Sequence, residues 1–236
     1  MKHFNVQLKD SLTGQRISAS GGVCYVATAG LSAKIAIATS ATGTAATSNN
    51  PKALTNGMIE FWTADSVASV DLYILAPGGQ FAIAKTVAAS GPNEIAIDTN
   101  ARNQVMVIPF DITDTTATTE TDTGFDEPAS ALMLPAPAVR MSTVDATETI
   151  DVGTLSTDSG DANGFMVTAP VSAALSKGTL ADGAATIGAL LCVDESSGDL
   201  VPEAHVSGGK SITYTLTAGT DTAIGFIVLP YQLTGA

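Results

Sequence analysis

The chain has few of the residues that usually carry chemistry. Its 236 residues include two histidines, two cysteines and one tryptophan, and aromatic residues make up 5% of the total. None of the common phosphate-binding, dinucleotide-binding or zinc-protease motifs occurs in it. Neither His3 nor His205 has a serine, cysteine or aspartate arrangement nearby in sequence that would indicate a nucleophile. We therefore expect no enzyme activity and no catalytic, cofactor-binding or metal-binding residues.

Both cysteines lie in apolar, strand-like runs, Cys24 in GVCYVAT and Cys192 in GALLCVDE. Neither has a second cysteine or a histidine at the spacing of a metal site. A disulfide or a metal role is therefore disfavoured. We predict two buried, reduced thiols that pack as small hydrophobic side chains.

Long hydrophobic runs are also missing. No segment approaches the roughly 18 apolar residues of a membrane-spanning helix. The first residues, MKHFNVQLKD, carry charges where a secretory signal would need an apolar stretch of about seven or more residues. The expectation is a protein made in the cytoplasm with no membrane partner.

Basic residues are scarce in one half of the chain only. Up to Arg102 there are seven Lys or Arg and six Asp or Glu, whereas the remainder has three bases and seventeen acids, and the whole chain has a net charge of −13. Binding to a phosphate backbone requires Lys and Arg to displace counterions, and so acidic a surface opposes it. We therefore exclude direct binding to nucleic acid.

Short apolar clusters rich in Val, Ile and Thr are abundant, and they are bounded by Gly, Pro, Asn or Ser. This pattern is typical of β-strands, and several clusters alternate apolar and polar residues. No long amphipathic helix is indicated, although Val171–Gly183 has some helical propensity. The predicted strands are 4–8, 23–28, 34–38, 58–64, 70–75, 81–87, 94–97, 105–109, 138–142, 148–152, 164–169, 186–194, 211–217 and 223–231.

Residues 111–137 interrupt this series. Their first part has six acids, no base and many threonines, and prolines follow at Pro128, Pro135 and Pro137. Such a composition favours an extended, solvated connector, and Ala131–Leu134 within it fits either a short helix or a strap. The sequence thus predicts an all-β protein with two small β-sandwich or barrel-like domains, 1–110 and 138–236, joined by an acidic Thr/Pro-rich connector.

Two acidic turns resemble hairpin loops. Asp10 precedes Gly14 by four residues, and Asp194 precedes Gly198 by the same distance, so each Asp can accept backbone hydrogen bonds while the Gly adopts positive φ. Calcium binding is the more specific alternative to hairpin loops for such acidic turns. The segment STDSGDANGF resembles the end of a calcium loop, but Ser159 stands at the first ligand position and Pro170 where a bidentate Glu is required. We interpret it as a polar loop.

The segment GMIEFWTADSVASVDLYIL is predicted to form two strands, with Ile59, Phe61 and Trp62 filling a core that is otherwise poor in large side chains. The first strand, Phe4–Leu8, has two options. It can pair within its own domain or add to the sheet edge of a neighbouring subunit, since both satisfy its backbone hydrogen bonds.

The order VCYVATAG, then NNPKALTNGMIEFWTAD, then VDLYILAPGGQF resembles a β-rich module of virion proteins from tailed bacteriophages. The later segments TLADGAATIGALLCVDESSGDLVPEAHV and YTLTAGTDTAIGFIVLPYQL also resemble phage structural proteins that accompany major capsid proteins. The usual aromatic strand reads YDL, whereas this chain has VDLY. The residues that carry the likeness are Asn50, Pro51, Gly57, Phe61, Trp62, Asp71, Leu72 and Tyr73.

The resemblance implies a non-enzymatic capsid decoration, or cement, protein on the outer surface of the virion. Such a protein would bind the major capsid protein, bridge capsomers and form a homo-oligomer, because shell sites are themselves symmetric. The division of charge, taken by itself, leads us to expect that the near-neutral first domain docks on the shell and the acidic second domain faces solvent. One alternative is a tail, tail-fibre or head-fibre component. Another is a carbohydrate-binding β-sandwich, although such proteins expose aromatic side chains for sugar stacking and this chain has few.

Overall fold

The computed structural model is built almost entirely of β-strands. It describes residues 1–19, 21–31, 33–89, 92–111, 119–145, 147–179, 186–194, 200–216 and 223–234. Within these ranges there are nineteen strands, two single-turn 3₁₀ helices (Thr47–Asn49 and Ser156–Asp158) and no α-helix. The predicted all-β fold class is therefore confirmed. The chain divides into two compact units, Met1–Ala101 (unit 1) and Arg102–Ala236 (unit 2).

Unit 1 contains two sheets. Its strands are β1 (Lys2–Asp10), β2 (Val23–Thr28), β3 (Lys52–Ala53), β4 (Met58–Thr63), β5 (Ser69–Leu75), β6 (Phe81–Ala88) and β7 (Pro92–Ile97). In the first sheet β1 is central, antiparallel to β4 and parallel to β7. The second sheet is antiparallel, with the order β3–β2–β5–β6. Because β1 has both edges paired inside its own unit, the first of its two predicted options is the one observed.

The core of unit 1 lies between the two sheets. Every second side chain of β1 and β4 points inward, as the two-residue period of a strand requires. The rings of Phe4 and Phe61 stack at its centre, with centroids 5.0 Å apart. Both sheets contribute fully buried side chains to this one cluster: Phe4, Val6, Leu8, Ile59 and Phe61 from the first, and Cys24, Val26, Val70, Leu72 and Ile74 from the second. Unit 1 is thus a β-sandwich.

Trp62 lies outside this core, and its predicted core position was wrong. It follows the inward-facing Phe61, so its side chain points to the opposite face of the sheet, where it is half-buried. Its indole stacks on the imidazole of His3, with centroids 4.6 Å apart and an interplanar angle of 13°.

Residues 34–38 form isolated bridges and not the predicted strand. Lys34 bridges to Ala27 of one sheet, while Ala38 exchanges two hydrogen bonds with Trp62 of the other. The segment therefore crosses from sheet to sheet and cannot extend either ladder. Asn50 fills the gap left on β2. Its amide accepts from the Val26 N–H at 2.9 Å and donates to the carbonyls of Val26 and Ile35 at 2.6 and 3.0 Å.

Unit 2 is organised around one long strand. Its strands are β8 (Asn103–Asp111), β9 (Thr121–Asp126), β10 (Ala131–Met133), β11 (Ala138–Thr143), β12 (Thr149–Thr154), β13 (Met166–Pro170), β14 (Leu175–Lys177), β15 (Cys192–Asp194), β16 (Leu200–Pro202), β17 (His205–Val206), β18 (Ser211–Leu216) and β19 (Ile224–Leu233). Strand β19 pairs with β8 along nine residues, and also with β11 and β10. A second sheet has the order β13–β12–β18–β9, and β15 and β16 form a hairpin.

Aromatic side chains fill the core of unit 2. Phe110 of β8 and Tyr214 of β18 bring the two main sheets together, with ring centroids 5.5 Å apart. Phe125, Phe165 and Tyr231 are also fully buried. On β19 inward and outward side chains alternate over all ten residues, as a strand with one core-facing side requires.

The division of the chain differs from the predicted one. The structure separates the units between Ala101 and Arg102, whereas the sequence pattern placed the boundary at residues 111–137. Strand β8 belongs to unit 2 because all nine of its residues pair with β19. Within the predicted connector, β9 pairs with β18, and β10 pairs with β19 and β17, so Ala131–Met133 is neither helix nor strap. Residues 112–118 lie outside the described ranges.

The segment with predicted helical propensity, Val171–Gly183, contains the short strand β14, which pairs with β11. Its last residues, from 180 onward, lie outside the described ranges.

Replacing Asn50 with Ala should lower the free energy of unfolding of unit 1 by about 1–3 kcal/mol, because the Val26 N–H and the Ile35 carbonyl lose the partner that Asn50 supplies and the Val26 carbonyl keeps only the Ile35 N–H. Trp62 is the single tryptophan, so its fluorescence in a denaturant titration reports on unit 1. The matched control is Asn100→Ala, at an exposed position of the same unit. Equal midpoints for the two variants would contradict the bridging role of Asn50.

Substitutions at two adjacent residues of β4 distinguish the core-facing side of the strand from its opposite side. Phe61→Ala should cost about 3–5 kcal/mol, since a large, fully buried ring is removed. Trp62→Ala should cost at most about 1 kcal/mol, since the indole is half-buried on the other side of the sheet. Thermal and urea unfolding followed by circular dichroism measures both, and the reverse order of the two costs would place Trp62 in the core.

Candidate functional site

Three groupings of polar side chains stand out in the described part of the chain. The most buried one in unit 1 centres on Asp71 of β5, whose side chain is 1% exposed. Its carboxylate accepts hydrogen bonds from the N–H groups of Thr86 and Gly30 at 2.8 and 2.9 Å. The ammonium of Lys85 lies 2.9 Å from the Asp71 Oδ2 and donates to the Tyr73 hydroxyl at 2.7 Å. We call the side chains of Asp71, Tyr73 and Lys85 the Asp71 cluster.

The local fold explains why these side chains meet. The β5–β6 register shifts between Val70 and Leu72, and Thr86 adopts a left-handed φ of 56° opposite the shift. Such a bulge leaves a backbone N–H without a ladder partner, and the Asp71 carboxylate binds it. Lys85, one residue earlier, lies 4.7 Å from the centroid of the Tyr73 ring. The cluster therefore completes an irregular piece of sheet.

Electrostatics fix the charge states of the Asp71 cluster. Burial alone would raise the pKa of Asp71, but the hydrogen bonds from Thr86, Lys85 and Gly30 outweigh it and hold the pKa below its ordinary value. Burial raises the pKa of Tyr73. Burial tends to lower the pKa of Lys85, yet its bonds to Tyr73 and Asp71 raise it overall. A charged lysine is a poor nucleophile, so the arrangement favours an anchoring role.

The second grouping is a carboxylate–imidazole pair in unit 2. Glu127 is fully buried, and its Oε1 lies 3.1 Å from Nε2 of His205, which is partly exposed. The other oxygen, Oε2, accepts from the N–H groups of Gly208 and Lys210 at 2.9 and 3.3 Å. The imidazole also meets the Phe165 ring edge to face. Glu127 thus ties the 207–210 turn to the end of β9.

The third grouping is an outward one, on the face of the β4–β1–β7 sheet away from the core. Here the stacked pair of His3 and Trp62 lies beside Glu60, whose carboxylate is 2.9 Å from His3 Nε2. An ion pair of Lys9 and Glu94 lies further along β1 and β7. We call this surface the outer face; it consists of His3, Lys9, Met58, Glu60, Trp62 and Glu94, all half-buried or exposed.

No motif near either histidine in sequence indicates a partner, whereas the structure places an acidic side chain beside each, Glu60 beside His3 and Glu127 beside His205. These pairs join residues 57 and 78 positions apart, so no local motif could have indicated them. Asn50 and Asp71 carry part of the phage resemblance, but nothing in the sequence around them indicates their bridging roles. Both bind backbone groups on segments that are distant in sequence.

The cysteines occupy apolar sites. Cys24 is buried in the core of unit 1, and burial raises the pKa of its thiol. Cys192 is half-buried, and burial raises its pKa as well. Both are free thiols. A raised pKa leaves little thiolate at neutral pH, so neither side chain is activated as a nucleophile.

The first acidic turn forms as predicted. Asp10 Oδ1 accepts from the N–H groups of Leu12 and Thr13, and Gly14 has a φ of 68°. The second, Asp194 to Gly198, extends beyond the described ranges. In STDSGDANGF the Asp161 carboxylate accepts from Asn163 N–H at 3.3 Å, and Ser159 has a φ of 58°. This segment is a tight polar loop.

Over the described ranges, no three His, Cys, Asp or Glu side chains are grouped as metal ligands would be. The same ranges include no helix that is long and apolar enough to cross a membrane. Comparisons with protein-family models, with curated proteins and with solved structures gave no match.

Asp71→Asn should destabilise unit 1 by about 1–3 kcal/mol at pH 7, because the substitution removes a buried negative charge that binds Lys85 and two backbone N–H groups. The folded-state pKa of Asp71 lies below the unfolded value of about 3.9, so its contribution is complete above that value and is lost as pH falls through the folded pKa. The difference between wild type and variant should therefore be constant from about pH 5 to 8 and shrink in more acidic solution.

Urea titrations between pH 2.5 and 8 measure this difference. Asp98→Asn, at an exposed position of the same unit, serves as the control and should leave the midpoint almost unchanged. A gap between wild type and Asp71→Asn that widens on acidification would contradict the charged, anchoring state.

Proposed function

We propose that the protein is a non-enzymatic structural protein of a tailed-phage virion, and more specifically a decoration protein that binds the outside of the assembled head. Its partner would be the major capsid protein, and it would stabilise the shell by bridging capsomers. In this proposal it is assembled in the host cytoplasm and acts as a homo-oligomer, with no enzymatic reaction and no cofactor.

The observation that carries the proposal is the division of charge between two separately packed units. Unit 1 has six Lys or Arg and six Asp or Glu, while unit 2 has four and seventeen, a net charge of −13. A neutral surface can approach a protein lattice without long-range repulsion. A strongly acidic one keeps particles that carry many copies of it apart. One neutral and one acidic unit is the arrangement that a coating protein needs.

Unit 1 also offers a surface with the composition of a protein interface. The outer face combines Trp62, Met58 and His3 with the ammonium of Lys9 and the carboxylates of Glu60 and Glu94, so apolar area lies beside charges of both signs. Trp and Met are enriched at protein interfaces, whereas Lys and Glu are depleted there. We assign the contact with the shell to this face.

The residues that carry the phage resemblance have structural roles. Asn50 bridges β2 and the 34–38 crossing, and Asp71 holds the β5–β6 bulge. Gly57 has a φ of +67°, and a Cβ there would lie 1.8 Å from the Ile17 carbonyl oxygen. These positions specify how unit 1 folds. The likeness therefore supports a shared module, and the charge division supports its use as a coat.

The proposal predicts saturable binding to decoration-free heads of the phage that encodes the chain. Purified protein mixed with such heads should sediment with them at a fixed ratio to the capsid subunit and raise their melting temperature. Trp62→Ala should weaken binding by about tenfold or more, since a central aromatic residue is removed from the interface. Leu175→Ala, at a half-exposed apolar position of unit 2, should bind as the wild type does.

The outcomes separate the competing functions. Protein that stays in the supernatant while native heads carry it would overturn the decoration role and favour a tail or fibre component, which sedimentation with isolated tails then tests. Weakening by Leu175→Ala in place of Trp62→Ala would assign the shell contact to unit 2. Retention on immobilised polysaccharide without binding to heads would indicate a carbohydrate-binding sandwich.

A further inference from the structure

The β-sheet edges in the described part of the chain are protected to different degrees. An unprotected edge exposes N–H and C=O groups that can pair with another strand, so proteins shorten such edges or place proline, bulges or charge on them. Strands β3, β14 and β17 have two or three residues each. Strands β7, β8 and β13 contain Pro92, Pro109 and Pro170. The far side of β4 is hydrogen-bonded to Ala38. The edge strand β9 carries Asp122 and Asp126 and has a register shift against β18, and β15 and β16 have three residues each.

Strand β6 is the exception. It has eight residues and no proline, and the described strands pair with it on one side only, through β5. Its bulge lies at Thr86, so the piece before it is regular, with Ala82, Ile83 and Ala84 in unbroken register with Ile74, Tyr73 and Leu72. Its one charged side chain, Lys85, is directed to Asp71 and Tyr73 of the neighbouring strand. Lys85 therefore does not prevent another strand from pairing with this edge.

We infer that β6 is a self-association edge, at which a second copy of the chain adds its own β6 in antiparallel orientation. Two-fold pairing is isologous, so residue i meets j while j meets i. With the axis at Ile83, the two Ile83 side chains, each 42% exposed, face each other. The small side chains of Ala82 and Ala84 meet on the other face of the extended sheet. The inference does not depend on binding to a capsid.

Charge favours a second copy as the occupant. In this register the two Lys85 residues are offset by four positions, roughly 13 Å along the strands, so they do not lie opposite each other. Unit 1 has as many bases as acids, so two copies can approach through it, whereas two copies of the acidic unit 2 repel. The joined sheet would have eight strands, with apolar contact at its centre.

The test begins with the mass of the full chain in solution by light scattering. Wild type should show a dimer, twice 23.8 kDa, at micromolar concentration. Ile83→Lys should raise the dimer dissociation constant by about tenfold or more, since it places two ammonium groups opposite each other at the axis. Leu175→Lys, at a half-exposed apolar position on the short edge strand β14, is the matched control and should remain dimeric.

A cross-link identifies the register. Directly opposite residues of an antiparallel pair are about 4.5–5.5 Å apart at Cα, within reach of a disulfide. In a Cys192→Ser background, Ile83→Cys should form a covalent dimer under mild oxidation. Ala88→Cys, exposed on the same strand but away from the axis, should not.

Three results would overturn the inference: a monomeric wild type up to about 100 μM, a dimer unaffected by Ile83→Lys, or equal cross-linking of the two cysteine variants. Circular dichroism of each variant shows whether it is folded. If Ile83→Lys does not fold, the cysteine pair decides alone. Failure of binding to heads would leave these outcomes unchanged, so the two proposals fail independently.

Discussion

The pairing of backbone N–H and C=O groups is the constraint on which this structure depends. Without α-helices in the described ranges, each strand must find partners in other strands, and the ladders break wherever the chain crosses between sheets or bulges. Buried polar side chains take over at those points. Asn50 does so beside β2, Asp71 at the β5–β6 bulge, and Glu127 at the 207–210 turn. Each binds backbone groups from a distant segment.

This use of polar side chains changes how the acidic charge of unit 2 should be understood. Among its described acidic residues, Asp111, Glu127, Asp145 and Glu148 are buried. These four carboxylates are part of the interior and contribute less to the outer field than formal counting suggests. The remaining acids still far outnumber the four bases of the unit. The surface of unit 2 therefore remains strongly negative, although less so than the formal net charge indicates.

The sequence predicts the regular strands well. The bounds of β2 agree with its apolar cluster, and those of β4, β5 and β6 differ by one residue, because alternation and flanking turn residues act locally. The segment 34–38 alternates equally well, yet it bridges two sheets, and nothing local marks that crossing. The apolar run around Phe61 predicts that Trp62 also lies in the core, but two neighbouring residues on a strand point to opposite faces of the sheet.

The segment 111–137 shows the opposite failure. Its acids, threonines and prolines indicate a solvated connector, but β9 and β10 within it are paired by β18 and β19, whose need for partners outweighs local composition. The side-chain groupings could not be predicted from the sequence, for a related reason. The partners of Asp71 and Glu127 lie 14 to 83 residues away, and spacing in sequence does not reveal such contacts.

The position of β19 sets the order in which the chain can acquire its structure. All seven strands of unit 1 are complete once residue 97 has been synthesised, so that sandwich can form early. The main sheet of unit 2 cannot close until β19 reaches back more than 100 residues to β8. At about 5–20 residues per second, β8 is exposed on the order of 10 s before its partner is made. Pro109 and the acidic residues that follow β8 are well suited to keep that waiting strand from pairing with other chains.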